Sequence, residues 1–81
     1  MPMSRAKMRV TSVLKMEGGN EKITMTCVAK SSAYPVDGTD EDNSFALWSP
    51  SGDLSITISN PALHGKFTPS KKFYIDFTEA P

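Results

Sequence analysis

Apolar and polar residues alternate over several short stretches of the chain, and the alternation marks out its elements. Between Ala6 and Met16 the even positions read Ala6, Met8, Val10, Ser12, Leu14 and Met16, and the odd positions Lys7, Arg9, Thr11, Val13 and Lys15. A period of two sends successive side chains to opposite faces of an extended strand. The stretch therefore reads as a strand with one face on a core and the other in solvent, Val13 being the exception. Glu17-Gly18-Gly19-Asn20-Glu21 is rich in residues that tolerate positive φ and predicts a reversing loop. A second strand, Lys22 to Lys30, sets Ile23, Met25, Cys27 and Ala29 on the core face against Thr24, Thr26 and Lys30, with Val28 out of pattern.

Periodicity is lost from Ser31 to Asn43, where Pro35, Asp37, Gly38, Asp40, Glu41 and Asp42 predict a long acidic loop (31–43). Ser44 to Trp48 reads as a short third strand, followed by a Pro-Gly turn at Ser49-Pro50-Ser51-Gly52-Asp53. Leu54, Ile56 and Ile58 alternate with Ser55, Thr57 and Ser59 in a fourth strand. Asn60-Pro61 suits the cap and first position of one helical turn through Ala62-Leu63-His64, and Gly65 suits its end. The last strand carries Phe73, Ile75 and Phe77 on one face and Tyr74, Asp76 and Thr78 on the other.

The fold expected is all-β: a small five-stranded barrel or sandwich with one short helical turn, a single domain over 1–81 with a flexible start at 1–4. Curling such a sheet buries one face and hides its edges. A helical turn between the last two strands suits an SH3-like order, whereas an OB-like order places its helix one strand earlier; both stay open. The expected core is Met8, Val10, Leu14, Ile23, Met25, Leu54, Ile56, Ile58, Phe73, Ile75 and Phe77, and a charge at Ile56 is expected to unfold the chain.

Composition narrows this picture. A chain of 81 residues hides only about 60–65% of the surface its unfolded form exposes, so the core is marginal. Cys27 is the single cysteine and His64 the single histidine, which excludes an internal disulfide, a Cys-rich zinc site and a His cluster. Cys27 reads as a small core residue, since nothing near it in sequence lowers a thiol pKa. Self-association is the remaining route to extra stability, with Val13 and Val28 as apolar residues on otherwise polar faces. Nine basic and nine acidic residues cancel, so no global field draws the chain to nucleic acid or an anionic membrane, and any anion site must be local. No apolar run nears the ~18 residues of a membrane span, and Met1-Pro2-Met3-Ser4-Arg5 lacks the apolar stretch of a signal peptide. A cytoplasmic protein with a reduced thiol is expected.

Candidate chemistry is sparse. No nucleophile and base stand in a recognisable arrangement, and His64 reads as a surface or capping side chain, so no catalytic residue is assigned. Asp40-x-Asp42-x-Ser44 has a faint calcium-loop spacing, yet Phe45 stands where that loop needs Gly and Ser51 where it needs Glu; a solvated acidic loop, with no metal and no cofactor, is expected. Basic residues say more. Arg5, Lys7 and Arg9 share one strand face, Lys71 and Lys72 precede the last strand, and terminal strands of small barrels commonly lie side by side. Lys7, Arg9, Lys71 and Lys72 are the expected phosphate ligands, Trp48, Tyr34 and Tyr74 the stacking surfaces, and Ser49, Ser51 and Gly52 the hydroxyl and backbone donors. The competing reading is an ordinary polar sheet face with Trp48 closing one end of the barrel.

Ser49-Pro50-Ser51-Gly52-Asp53-Leu54, Ile58-Ser59-Asn60-Pro61-Ala62, Phe67-Thr68-Pro69 and Lys72-Phe73-Tyr74-Ile75-Asp76-Phe77-Thr78, together with Arg5-Ala6-Lys7-Met8-Arg9-Val10, resemble small accessory proteins of tailed bacteriophages. The likeness spans most of the chain outside the 31–43 loop and brings no catalytic motif with it. It departs at Pro69-Ser70-Lys71, where Pro-Gly-Lys is expected. The resemblance implies a non-enzymatic phage protein acting in the host cytoplasm. One form is an oligomeric binder of a phosphorylated small molecule, such as a host defence signalling nucleotide; another is a minor structural virion or assembly protein. A single-stranded nucleic-acid module is a third reading, disfavoured by the neutral charge.

Overall fold

The computed structural model describes residues 3–81. β1 (Ser4–Lys15) and β2 (Glu21–Cys27) form a hairpin, and β3 (Asp53–Ile58) and β4 (Lys72–Phe77) flank it in one antiparallel sheet of order β3-β2-β1-β4. The sheet curls into a half-barrel, so the all-β reading holds with four strands in place of five. The registers Met8↔Cys27, Val10↔Met25, Met25↔Leu54, Met8↔Phe73 and Ala6↔Ile75 bring the apolar residues of all four strands to one face. Ala6, Met8, Val10, Ile23, Met25 and Ile58 are buried there, and Val13, Cys27, Leu54, Phe67, Phe73 and Ile75 pack against them. Phe67 reaches the face from outside the sheet, its ring 4.9 Å from that of Phe73.

A β-bulge corrects the phase of β1. The register passes from Val10↔Met25 to Ser12↔Thr24, so Thr11 is an extra residue and the faces exchange beyond it. Val13, opposite Ile23, therefore points to the core, while Leu14 is 59% exposed. Val13 is thus an ordinary core contact and not the apolar spot on a polar face that the alternation suggested. Two more expected core residues sit at sheet edges instead: Ile56 on β3 is 47% exposed and Phe77 on β4 is 48% exposed. A charge at Ile56 thus meets solvent as well as core, which removes the reason to expect unfolding from that change alone.

The expected third strand is absent. Glu41–Asn43 forms a 3-10 turn capped by Asp40, whose carboxylate accepts from Asp42 N–H at 3.0 Å. Ser44 to Trp48 then runs in turns, because Trp48 takes φ 62° and donates its N–H to Gly38 O, back into the loop. Neither the SH3-like nor the OB-like five-stranded order is formed. Asn43 also explains why β2 ends at Cys27 instead of Lys30. Val28 N–H still donates to Lys7 O at 2.9 Å, but the return bond is replaced by the buried Asn43 carboxamide. Its Oδ1 accepts from Lys7 N–H (3.0 Å) and its Nδ2 donates to Val28 O (2.9 Å) and Asp40 Oδ2 (3.1 Å). The side chain is a wedge between the strands. Past it, Ser44 stands in for a strand against β1, accepting from Arg5 N–H and donating to Arg5 O.

Two further segments close the structure. Pro61–Leu63 is the anticipated helical turn, in 3-10 form, with Asn60 capping Ala62 N–H at 3.0 Å. It leads to His64, whose Nε2 meets Ile58 O at 3.0 Å, and to Gly65, whose N–H donates to the buried Glu21 carboxylate. Lys15 pairs with the same carboxylate, and together these contacts hold it below the usual range, Lys15 contributing most. Thr68-Pro69-Ser70-Lys71 is a turn closed by Lys71 N–H to Thr68 O, with Ser70 at φ 76°. Glycine is the residue best suited to this backbone. Of the expected loose start, residues 1 and 2 lie outside the described residues; Met3 N–H donates to Phe77 O and Ser4 opens β1.

Candidate anion-binding face

The polar face of β1 and β4 is a ladder of facing side chains: Arg5↔Asp76, Lys7↔Tyr74 and Arg9↔Lys72. Its first two rungs are internally compensated. Arg5 Nε lies 2.6 Å from Asp76 Oδ1, and its guanidinium stacks over Tyr74 with Cζ 4.4 Å from the ring centroid. This bond holds Asp76 below the usual carboxylate range and raises the Arg5 guanidinium further. Tyr74 OH donates to Asp42 Oδ1 at 2.9 Å, and Lys7 Nζ lies 3.4 Å from Asp42 Oδ2. Asp42 is accordingly lowered, first by the phenol and then by Lys7, and the phenol is raised by donating to a carboxylate.

The third rung differs. Arg9 and Lys72 are directly opposed like charges, and among the described residues neither forms an ion pair. Both are exposed. Lys72 also borders a cleft of about 270 Å³ with Lys7, Lys30, Ser31, Asp40 and Asp42, so three lysines and two aspartates line it beside the unpaired rung. Lys7, Lys72 and Tyr74 share a second, smaller hollow of about 120 Å³.

The expected site is thus only partly assembled. Lys7, Arg9, Lys72 and Tyr74 come together. Lys71 does not, since it projects to the other face, its Nζ 5.7 Å from the Phe73 ring centroid and donating to Lys66 O. Trp48 serves the loop: its indole lies on Gly38, where a Cβ would approach Trp48 Cε2 to 2.7 Å, and Tyr34 meets it edge-on at 5.9 Å. It therefore neither joins the basic face nor closes a barrel end. Ser49 and Ser51 are exposed in the segment entering β3, at the sheet edge opposite β4, and Gly52 O accepts from Cys27 N–H. The loop carboxylates have structural partners: Asp37 binds Thr39 N–H and Oγ1, and Asp40 caps the 3-10 turn. Burial pushes the Cys27 thiol up, away from reactivity.

Sequence reasoning missed Lys30, Asp42 and Asn43 as neighbours of this face, because they come from a segment without periodicity. The one usable signal was Asp40-Glu41-Asp42-Asn43 itself, an Asp positioned to cap a tight turn. The opposite face carries an open apolar cavity of about 650 Å³ lined by Met3, Ala6, Met8, Cys27, Phe45 and Phe77. Among the described residues no helix is long and apolar enough to cross a membrane. No protein-family model, curated protein or solved structure matches the chain.

Proposed function

We propose that the chain is a non-enzymatic binder of a phosphorylated small molecule, held on the polar face of β1 and β4 by Arg9, Lys72 and Lys7. The observation that carries this reading is the Arg9↔Lys72 rung: two like charges directly opposite each other, which destabilise a sheet unless a counter-charge is supplied. A phosphate supplies it, and Lys7 and Lys30 border the adjoining cleft. A base attached to that phosphate has Tyr74 within reach, although Arg5 already covers one face of the ring. The resemblance to phage accessory proteins supports sequestration of a host defence signalling nucleotide in the host cytoplasm. The exposed sheet edges favour a second reading, a structural or assembly protein.

Calorimetric titration of wild type and Arg9→Glu with pyrophosphate, linear and cyclic nucleotides and a short single-stranded oligonucleotide tests the proposal. Wild type should bind a nucleotide or pyrophosphate with a Kd of about 100 μM or tighter. Arg9→Glu should lose that binding with little change in melting temperature, since Arg9 is exposed. Absence of binding by wild type sinks the proposal in favour of the assembly reading, and binding of the oligonucleotide alone points to the nucleic-acid module.

A further inference from the structure

β4 is an edge strand whose outer side is open. The bond from Val10 N–H to Lys71 O (2.9 Å) and the registers Met8↔Phe73 and Ala6↔Ile75 fix its parity. In an antiparallel ladder alternate residues turn their backbone groups to opposite sides, so Lys71, Phe73, Ile75 and Phe77 bond to β1. The N–H and C=O groups of Lys72, Tyr74 and Asp76 then face outward, where no backbone group of the described residues meets them. Native edges of this kind are normally blunted by charged side chains, proline, a bulge or a covering segment, and of these β4 has charges alone, Lys72 and Asp76, which are opposite in sign. β4 contains no proline, and its register against β1 is uninterrupted.

The chain is also too thin for its mass. Its Cα atoms extend 49 × 32 × 16 Å with a radius of gyration of 14.5 Å, against about 11.7 Å for a compact domain of this length. It exposes 5767 Å², where a compact 8.8 kDa monomer exposes about 4,800 Å². The surplus of about 1,000 Å² is close to the ~800 Å² each partner contributes to a standard interface.

We infer that two copies of this chain pair through β4, antiparallel across a two-fold axis at Tyr74. This register is singled out by charge. It sets Tyr74 against Tyr74 and Lys72 of each copy against Asp76 of the other, on the same face, so each Asp76, already bound by Arg5 of its own protomer, gains a second cation. Lys72, Tyr74 and Asp76 each donate one N–H and accept one across the axis, and Phe73 of one copy lies beside Ile75 of the other on the apolar face. The outer edge of β3 offers no such match: centred on Ser55, it opposes Asp53 to Thr57. The product is one continuous sheet, β3-β2-β1-β4 followed by its two-fold copy, with the two Arg9 cations on the same surface.

Sedimentation of the full chain between about 1 and 100 μM, with amide exchange read residue by residue, tests this. A dimer is expected, with the amides of Lys72, Tyr74 and Asp76 gaining protection as concentration rises. Tyr74→Pro removes the central donor, which the protomer does not use, and should leave a folded monomer across that range. Lys72→Glu gives Arg9 a carboxylate within the protomer yet opposes Asp76 across the axis, and should weaken the dimer on the order of tenfold without lowering the melting temperature of the protomer. A wild-type monomer at 100 μM, or a dimer indifferent to both substitutions, overturns the inference. Arg9→Glu separates it from anion binding: that change should abolish the ligand and spare the dimer.

Discussion

Replacing Asn43 with alanine tests the wedge that holds β1 and β2 apart where the basic face begins. The carboxamide accepts from Lys7 N–H at 3.0 Å and donates to Val28 O at 2.9 Å, and it is wholly buried. Removing it strands one donor, Lys7 N–H, and two acceptors, Val28 O and Asp40 Oδ2, each costing about 1–3 kcal/mol when left unsatisfied out of water. Lys7 and Val28 are only half-buried, so the lower end applies to those two, while Asp40 is buried, and the sum is about 3–5 kcal/mol. A domain of this length has roughly 4–12 kcal/mol in all. Urea denaturation followed by far-ultraviolet dichroism and Trp48 fluorescence should therefore show a much lower midpoint at an unchanged slope. Asn43→Asp keeps the acceptor for Lys7 but loses the donor to Val28 O and opposes the Asp40 carboxylate, so at neutral pH it should fall below the alanine variant. A midpoint shift worth less than about 0.5 kcal/mol for Asn43→Ala would mean that β1 and β2 simply zip together, and the wedge argument would fail.

Ser70→Gly should stabilise the chain by about 1 kcal/mol, because Ser70 sits at φ 76°, a region costly for any residue with a Cβ; a thermal melt no higher than wild type would contradict this. Acid should unfold the protein through four carboxylates whose folded pKa values are depressed, Glu21 by Lys15, Asp37 by Thr39, Asp42 by Tyr74 and Asp76 by Arg5. Their contribution is complete above the ordinary carboxylate range and is lost as pH falls through the depressed values. The urea midpoint should thus be flat near neutrality and drop below about pH 4, less steeply in Asp76→Asn.

Much of the sheet was written in the alternation: β1, β2, β3 and β4, the hairpin at Gly18-Gly19 and the turn at Pro61–Leu63 all follow from local periodicity and capping. The failures share a cause. Leu14 and Val13 lie on faces opposite to those that alternation predicts, because a bulge at Thr11 is set by the pairing partner and leaves no mark in the strand's own residues. Ile56 and Phe77 alternate as core residues do, but alternation does not say which strands end at an edge. Ser44–Trp48 looked extended, yet a side chain, Asn43, took over the bonding a third strand would have provided. On the basic face, Lys7, Arg9 and Tyr74 were legible from strand parity and Lys72 from its neighbours. Lys71 was not separable from Lys72 until parity across the turn was known, and Trp48 was claimed by Gly38.

The pairing of Ser4 with Phe77 draws nearly the whole described chain into a single closed loop. Loop closure costs entropy that grows only slowly with length, but here it falls on one seam, since among the described residues β1 is the one strand with which β4 pairs. Arg9 and Lys72 lie on opposite sides of that seam. They are neighbours only while it is shut, and peeling β4 away dissolves the rung without disturbing the β1–β2–β3 ladder. An anion bridging the two cations, as proposed above, would act as a clasp, binding the shut form alone and shifting the opening equilibrium by mass action. Under that proposal, occupancy of the basic face and docking of β4 are one equilibrium seen from two ends.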